Sequence, residues 1–358
     1  MKPERISKLI LTTQAGLLIL ASNSLQAEEA GQTARPLNGL QACVAAEIVN
    51  ASDDVTIGEI RNRCRTHASN KNVVEALAET AISTAKQDAS LVDRHRMLES
   101  VADANPYTIV PYKPNYITMT YNDKVNEEPY NLSGNEEVDR VEAKFQLSLK
   151  IPLVKNLFGT DTSLTAAYTQ QSWWQVNNSD ISAPFRETNY EPEIWIDWWG
   201  LEYDLFGFKG RNLRFAFNHQ SNGRGGDLSR SWNRIYLSTV LEAENLIVVP
   251  RVWYRIPEDD KDFPGDPSGD DNPDIEKYLG YGDITAAYKY NQHTFSMILR
   301  NNLRSDNKGG VQLDWSFPLT DNLRGYVQYF NGYGESLIDY DAYTQRIGVG
   351  VQLTDWLY

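Results

Sequence analysis

The residues best suited to chemistry lie in the segment 215–237, FAFNHQSNGRGGDLSRSWNRIYL, which has the pattern of two strands joined by a polar turn. Side chains in a strand alternate between two faces, so His219 and Ser221 project together from the face that carries two Phe rings. If the strands pair His219 with Asn233, these two side chains lie about 5 Å apart. A base, a hydroxyl and an amide then converge, as a general base, a nucleophile and an orienting group do.

A purely structural interpretation competes with the catalytic one. His and Ser two positions apart are common in strands, and Asn222-Gly223 is an ordinary turn sequence. Polar side chains on an apolar face are costly unless they are hydrogen-bonded or used, which favours the catalytic interpretation. The chain has no G-x-S-x-G motif, which argues against a soluble α/β-hydrolase.

The first 104 residues differ in character from the rest. Residues 1–27 have the pattern of a secretory signal peptide, with basic residues before a short apolar run and Ala27 at the expected cleavage site. Residues 28–104 contain no Trp, Tyr or Phe, and apolar residues recur at roughly helical spacing in 73–86 and 91–102. We therefore expect an exported chain with a short, mainly helical or disordered periplasmic extension.

The only two cysteines, Cys43 and Cys64, lie in this extension. An even pair in an exported chain predicts a disulfide, and the spacing is not that of a metal site. Nothing else in the extension indicates chemistry, so its role is open.

From residue 114 onward the pattern is that of strands separated by turns. In 144–151 apolar residues alternate with Lys, Gln and Ser, and in 346–353 they alternate with Arg, Gly and Gln. This alternation is typical of a transmembrane barrel, whose lumen is polar and whose exterior faces lipid. We predict an all-β fold for residues 105–358, a transmembrane antiparallel β-barrel of about twelve strands, an even number as bacterial barrels require. The strands are expected near residues 114–122, 141–151, 162–174, 191–203, 211–221, 230–242, 245–257, 278–290, 292–302, 309–316, 322–330 and 343–354.

Composition bears on the same prediction. The chain has 20 Tyr and nine Trp, which suits aromatic girdles at the two membrane surfaces and places Trp173 and Trp174 in a girdle. An aromatic-rich soluble β-sandwich is the alternative. A net charge of −14 argues against nucleic acid as a partner.

The strand count also predicts an orientation. With both ends of the barrel in the periplasm, the turn at 222–229 faces the cell exterior, because the fifth strand ascends and the sixth descends. His219, Ser221 and Asn233 then lie on the outer wall near the outer rim. The ester bonds of glycerophospholipids in the outer leaflet of a bacterial outer membrane lie at this depth, so these lipids are the expected partners.

Two groups of residues match a known family. His219-x-Ser221-Asn222-Gly223-Arg224 and Ser229-Arg230-Ser231-Trp232-Asn233-Arg234 resemble the signature of outer membrane phospholipase A. The resemblance runs from about Asn105 to the C-terminus and includes SWWQ at 172–175, PFRETNYEP at 184–192, DNPDI at 271–275 and GYGESLIDY at 332–340. It implies a phospholipase that hydrolyses acyl esters of glycerophospholipids and lysophospholipids, with phospholipase A1, phospholipase A2 and lysophospholipase activities.

In this interpretation Ser221 is the nucleophile, His219 is the general base and Asn233 orients His219. The backbone amide of Gly223 is the nearest candidate to stabilise the oxyanion. Gln220, where the family more often has Glu, is expected to point into the lumen.

The resemblance also implies Ca²⁺, bound between two barrels of an active homodimer. The implied ligands are the Arg224 carbonyl and Ser229 of one subunit and the Ser182 carbonyl of the other. The family usually has Ser-Asp directly after the Arg, whereas this chain has Gly225-Gly226-Asp227. Asp227, which lies one position after the place of the family's Asp, is therefore a candidate ligand.

The segment 259–274, DDKDFPGDPSGDDNPD, is strongly acidic and is expected on the outer side. A solvated loop that repels itself into extension is the simpler interpretation. Weak calcium binding through Asp271 or Asp274 is the alternative, although the loop lacks EF-hand spacing.

Two rival functions remain. One is a non-enzymatic pore or structural barrel, in which His219 and Ser221 are incidental. The other is an outer-membrane protease, which would place Asp and His inside the barrel mouth. The parity of His219 and the Phe residues argues against the protease.

Overall fold

The computed structural model describes residues 90–102, 109–131, 138–178, 185–263, 266, 268–320, 322–354 and 356. The predicted signal peptide, the predicted helix at 73–86, Cys43, Cys64 and Ser182 lie outside the described residues. The chain divides into two compact units, and all described residues belong to the second, Lys86–Tyr358.

Antiparallel strands make up most of this unit. The strands are β1 Val110–Pro111, β2 Asn115–Asn122, β3 Val141–Lys155, β4 Thr162–Trp174, β5 Phe185–Leu205, β6 Phe208–Ser221, β7 Ser231–Ser238, β8 Leu241–Ala243, β9 Leu246–Ile256, β10 Gly282–Tyr290, β11 His293–Asn301, β12 Gly309–Pro318, β13 Arg324–Gly332 and β14 Thr344–Thr354. The helices are α1 Leu91–Ala102, α2 Glu128–Asn131 and α3 Glu276–Leu279, and two 3₁₀ turns occupy Leu157–Gly159 and Gly226–Leu228.

Twelve of these strands close into a ring, which confirms the predicted barrel. Each long strand pairs with its neighbours in the chain, and β14 pairs with β2 to complete the circle. The two short strands lie off the ring, since β1 adds to β3 while β8 bridges β6 and β9. A closed ring satisfies every strand edge, which a bilayer requires.

The two faces of the wall differ as the alternation predicted. In β14 the side chains of Ile347 and Val349 are 50% and 59% exposed, whereas Arg346 is 2% exposed. In β3, Lys144 and Ser148 are buried while Leu147 is exposed. The apolar face is therefore the outer wall, and the polar face lines the lumen. No helix among the described residues is long and apolar enough to cross a membrane.

The two ends of the barrel also differ. Connections at one end are short, such as 206–207 and 291–292. The first strand of the ring, β2, begins at this end, and the last, β14, finishes there. Connections at the other end are longer and include 222–230, 257–281 and 333–343. In bacterial outer-membrane barrels the longer loops are extracellular. The β6–β7 turn lies at this long-loop end.

The connection 333–343, here called the cap loop, folds into the lumen. The backbone N–H groups of Leu337 and Ile338 donate to Asn189 Oδ1 at 2.9 Å and to Glu187 Oε1 at 3.2 Å. Glu335 of the same loop pairs with two buried lumen cations, Lys144 at 3.0 Å and Arg346 at 2.8 Å. Burial alone would raise the pKa of Glu335, but the charges of Arg346 and Lys144 lower it to about 2. The cap loop thus fills the long-loop end with paired charges.

The aromatic residues are not all in girdles. Trp173, Trp195, Trp232 and Trp253 are buried, and the last three belong to an apolar cluster inside the barrel that includes Leu337 of the cap loop. The girdle prediction for Trp173 was therefore wrong. Adjacent residues of a strand face opposite sides, so only Trp174 reaches the outer wall, where it stacks on Phe185 with ring centroids 5.8 Å apart.

Helix α1, predicted over the same residues 91–102, contacts barrel residues around the short-turn end. The guanidinium of Arg96 lies 3.0 Å from Asp161 and 4.4 Å from the Trp199 ring centroid. The backbone N–H of Val92 donates to Glu242 at 3.0 Å. Burial would raise the pKa of Glu99, but His95 and Lys150 lower it to about 2. This helix is part of the barrel unit, although sequence grouped it with the extension.

Replacing Arg186 tests the contribution of buried ion pairs in the lumen to stability. Its guanidinium bridges Glu142 at 2.6 Å and Asp339 at 2.7 Å, and all three side chains are nearly inaccessible to solvent. Arg186→Ala leaves two buried carboxylates without this partner, so we expect the unfolding free energy to fall by about 3–5 kcal/mol in urea titrations of the protein in lipid vesicles.

Arg140→Ala is the matched control for this prediction. Arg140 pairs with Asp123 at 3.7 Å, and both side chains are exposed. Exposed ion pairs contribute little, so this variant should unfold at nearly the wild-type urea concentration. Equal losses in the two variants would contradict the assignment of Arg186 to a buried network.

Candidate active site

Strands β6 and β7 bring the predicted residues together. Their antiparallel register places His219 opposite Asn233, the pairing that the catalytic interpretation assumed, and Ser221 opposite Ser231. These side chains are half-buried, whereas Phe215 and Phe217 of the same face are exposed. The group therefore lies on the outer wall, at the end of β6 next to the long-loop end.

The imidazole of His219 has a defined partner. Its Nδ1 lies 2.9 Å from Oδ1 of Asn233. Because an amide oxygen only accepts, Nδ1 must carry the hydrogen, and the lone pair of the ring is then on Nε2. The amide of Asn233 is itself held, since its Nδ2 donates to Glu258 Oε1 at 3.1 Å. Sequence analysis did not find Glu258, which lies in a loop after β9.

The side chains between these residues point inward and brace the hairpin from behind. Trp232 Nε1 donates to Gln220 Oε1 at 2.9 Å, so Gln220 lies on the lumen face as expected. The guanidinium carbon of Arg234 lies 3.9 Å from the ring centroid of Trp232, and its Nε donates to Asn218 Oδ1 at 3.1 Å. A cavity of about 320 Å³ in the lumen is lined by Gln220, Trp232 and Arg234. The candidate site and this cavity therefore occupy opposite faces of the same wall.

The turn after Ser221 is organised by Asn222. Its Oδ1 accepts hydrogen bonds from the backbone N–H groups of Arg224 at 3.2 Å and Arg230 at 3.0 Å, and its Nδ2 donates to the Leu228 carbonyl at 2.9 Å. Sequence identified Asn222 only as a turn residue. Asn side chains commonly fix turns in this way, and here one side chain ties both ends of the turn.

Gly223 occupies a conformation that other residues rarely adopt. Its φ is +66°, and a Cβ at this position would lie 2.9 Å from the Tyr190 ring. The left-handed region is costly for residues with a side chain. The backbone amide of Gly223 is thus placed directly after the Ser221–Asn222 pair by a turn that depends on glycine.

Some of the predicted calcium ligands lie together. Ser229 Oγ donates to Asp271 Oδ2 at 2.6 Å, and the other oxygen of Asp271 lies 2.6 Å from Lys261 Nζ. Hydroxyl and carboxylate oxygens are ligands that Ca²⁺ accepts, so this pair fits the ion in donor chemistry. Asp274 is engaged elsewhere, since it accepts from the Tyr340 hydroxyl at 2.6 Å.

The remaining predicted ligands are less defined. Asp227 lies in the 3₁₀ turn Gly226–Leu228, two positions before Ser229, and Arg224 is in the preceding turn. Among the described residues no group of three or more His, Cys, Asp or Glu side chains is placed to hold a metal ion. Any calcium site built from one chain would thus rely on hydroxyl and carbonyl oxygens as well.

Comparison with known proteins decides the family. A family model described as phospholipase A1 matches residues 92–353, a range that begins upstream of Asn105. The chain belongs to the phospholipase A1 family. It is 42% identical over 254 residues to phospholipase A1 of Proteus vulgaris, covering 70% of this chain and 83% of that protein. Phospholipase A1 of Escherichia coli K12 is 41% identical over the same shares of the two chains.

Solved structures agree with this assignment. The structure of outer membrane phospholipase A from Escherichia coli superposes with a TM-score of 0.64 at 40% identity, covering 70% of this phospholipase and 100% of that chain. A dimer of the Salmonella typhi outer membrane phospholipase with bound calcium gives a TM-score of 0.63 at 41% identity, covering 70% of this chain and 94% of the other. This protein is therefore an outer-membrane phospholipase, a carboxylic ester hydrolase.

Gly223→Ala tests whether the turn supports activity. The native turn requires φ near +66° at this position, which alanine rarely adopts, so the turn is expected to shift. Displacing a catalytic group by about 1 Å can reduce the rate by about a hundredfold. We expect the initial rate of phospholipid hydrolysis in mixed micelles to fall by roughly tenfold to a hundredfold. Gel mobility of the unheated protein should still report a folded barrel.

Gly225→Ala is the matched control for the turn. Gly225 has φ −113°, and a Cβ there would meet nothing within 4 Å. The same chemical change two residues away should leave hydrolysis unaltered. Loss of activity in both variants would show only that the turn is sensitive to alanine.

Proposed function

We propose that this phospholipase cleaves acyl ester bonds with Ser221 as nucleophile, His219 as general base and Asn233 as the residue that orients His219. The observation that carries the proposal is the 2.9 Å contact between His219 Nδ1 and Asn233 Oδ1, on the outer wall beside Ser221. This contact leaves Nε2 of His219 as the basic nitrogen.

The reaction follows from these assignments. Ser221 Oγ attacks the ester carbonyl carbon while His219 Nε2 takes the hydroxyl proton. The C–O bond to the glycerol oxygen breaks, and His219 returns its proton to that oxygen, which leaves an acyl-serine. Water then attacks the acyl-serine with His219 again as base, and fatty acid and free Ser221 are released.

The oxyanion of each tetrahedral intermediate needs a donor. The N–H of Gly223 is the proposed one, because it follows Ser221 closely and its turn is fixed by Asn222. Oriented backbone donors of this kind contribute a few kcal/mol to catalysis, or roughly a hundredfold or more in rate. Asn233 is neutral, so it stabilises the imidazolium less than a carboxylate would.

The position of the group supports the substrate class. The three residues lie on the lipid-facing wall near the long-loop end, where a glycerophospholipid of the outer leaflet presents its ester bonds to the side of the barrel. We propose phospholipase A1, phospholipase A2 and lysophospholipase activities, because a site open to the bilayer does not enclose the glycerol backbone.

Calcium is the proposed cofactor. The Arg224 carbonyl, Ser229 and a Ser182 carbonyl of a second subunit would hold it, with Asp271 beside Ser229 and Asp227 as further ligands. When bound, the ion would supply positive charge near the oxyanion. The Salmonella typhi relative described as a dimer with bound calcium supports both the ion and the homodimer.

Ser221→Ala with and without calcium is the direct test. We expect calcium-dependent fatty-acid release by the refolded protein in detergent micelles, and a fall of about a thousandfold or more in the variant. Ser238→Ala, which removes a buried serine of β7 away from the site, should keep the wild-type rate. Activity that survives Ser221→Ala would refute the mechanism.

The hydrolysis assay also distinguishes the proposed enzyme from the rival function, a passive pore. Absence of hydrolysis under all conditions, together with ion conductance in planar bilayers, would favour the pore. The cap loop and its paired charges within the lumen oppose that outcome. Calcium-independent hydrolysis would retain the nucleophile and reject the metal.

Dimerisation can be tested by isolating single barrels. Protein reconstituted at one copy per nanodisc should show little hydrolysis of the disc lipids, because the proposed site requires Ser182 of a second subunit. Discs that hold two copies should be active when calcium is present. Full activity in strictly monomeric discs would contradict the requirement for a dimer.

A further inference from the structure

The carboxylate of Glu258 makes a contact that the roles assigned above do not explain. Its Oε1 accepts a 3.1 Å hydrogen bond from Nδ2 of Asn233, whose Oδ1 lies 2.9 Å from His219 Nδ1. The three side chains therefore form a continuous series across β6, β7 and the end of β9.

The strand register places Glu258 on the same face as the site. Asn233 pairs with Ile256, the last residue of β9, and Glu258 follows two positions later with the same parity. It is therefore the diagonal neighbour of Asn233, and diagonal positions are within reach of long side chains. Glu258 is half-buried, so the contact is partly shielded from water.

We propose that Glu258 is a positioning residue of this phospholipase, which sets the orientation of the Asn233 amide and thereby the tautomer of His219. The inference rests on the function proposed above. A carboxamide has a donor end and an acceptor end of nearly equal shape, and either end could face the imidazole. An ionised carboxylate only accepts, so Glu258 selects the orientation in which Nδ2 faces it and Oδ1 faces His219.

The flipped amide would be inactive for a simple chemical reason. With the amide NH₂ facing His219, Nδ1 would have to accept, and the hydrogen of the neutral ring would move to Nε2. A ring protonated on Nε2 cannot take the proton of Ser221. Glu258 excludes this arrangement before substrate arrives.

Glu258 also brings negative charge to the series. It polarises the amide of Asn233 and makes Oδ1 a stronger acceptor, because hydrogen bonds in sequence reinforce one another. The neutral Asn233 thereby gains part of the character that a carboxylate would have at its position. Stabilisation of this kind acts when the imidazolium forms, so it affects the chemical step more than substrate binding.

Variants of Glu258 separate orientation from charge. Glu258→Ala removes both, and we expect kcat to fall by about tenfold to a hundredfold at saturating calcium, with KM little changed, as for the loss of a hydrogen bond to a charged group. Glu258→Gln keeps an oxygen that can accept from Asn233 but has no charge, so kcat should fall by only about threefold. Asp260→Asn is the matched control, since it removes an equal charge from an exposed residue of the same loop, and should match wild type.

A double-mutant cycle tests whether Glu258 acts through Asn233. In the Asn233→Ala background, adding Glu258→Ala should produce almost no further loss, because the amide to be oriented is absent. Full additivity of the two losses would overturn the proposal. So would a higher calcium requirement with unchanged kcat, which would make Glu258 a metal ligand, or a loss of equal size in Asp260→Asn.

The outcomes also distinguish this inference from the proposed function. If Ser221→Ala abolishes hydrolysis and Glu258→Ala retains the wild-type kcat, the mechanism stands and the role of Glu258 is rejected. If hydrolysis survives Ser221→Ala, the mechanism fails and the role of Glu258 fails with it.

Discussion

The backbone hydrogen bonds between β14 and β2 turn a long antiparallel sheet into a ring, and the other features of the molecule depend on that closure. A bilayer offers no water to an unpaired strand edge, so only a closed sheet can cross it. Closure in turn assigns every side chain to lipid or to the lumen. The lumen side carries buried ion pairs such as Arg186–Glu142, and the lipid side carries residues such as Val349.

The β6–β7 hairpin departs from this division in a limited way. His219, Ser221 and Asn233 are polar residues on the lipid-facing side, and the His219–Asn233 contact satisfies part of their hydrogen-bonding capacity. Behind them, Trp232 and Gln220 are hydrogen-bonded within the lumen. The site is therefore a small polar area on a stiff wall that is braced from the inside.

The sequence predicted the strands well because alternation is a local property. Twelve barrel strands were expected, and most boundaries agree within a few residues. The largest difference is β5, which begins at Phe185 instead of 191, since its first part is polar and pairs with β4 at the long-loop end. The girdle prediction failed for Trp173 because a high aromatic content does not show which face a residue occupies. Trp173 and Trp174 are adjacent in β4, so alternation sends Trp173 to the lumen and Trp174 to the outer wall.

Alternation predicts that His219, Ser221 and Asn233 share one face of the wall, but it does not predict that His219 pairs with Asn233, because the connection 222–230 is too long to fix the register of the hairpin. Glu258 could not be predicted from any pattern. It reaches Asn233 from a separate strand end, and no local pattern links residues 25 positions apart. The same is true of the cap loop, whose contacts join Leu337 to Asn189. Local periodicity reveals which face a residue occupies, whereas contacts between distant loops depend on the closed barrel.

The placement of the candidate site on the outer wall has a consequence for how such an enzyme meets its substrate. A site that opens sideways receives lipid by diffusion within the membrane plane and releases fatty acid and lysolipid into that plane. The quantity that governs its rate is then the surface fraction of lipid beside the wall. Diluting the membrane with inert lipid should slow such an enzyme, whereas diluting the suspension with buffer should not.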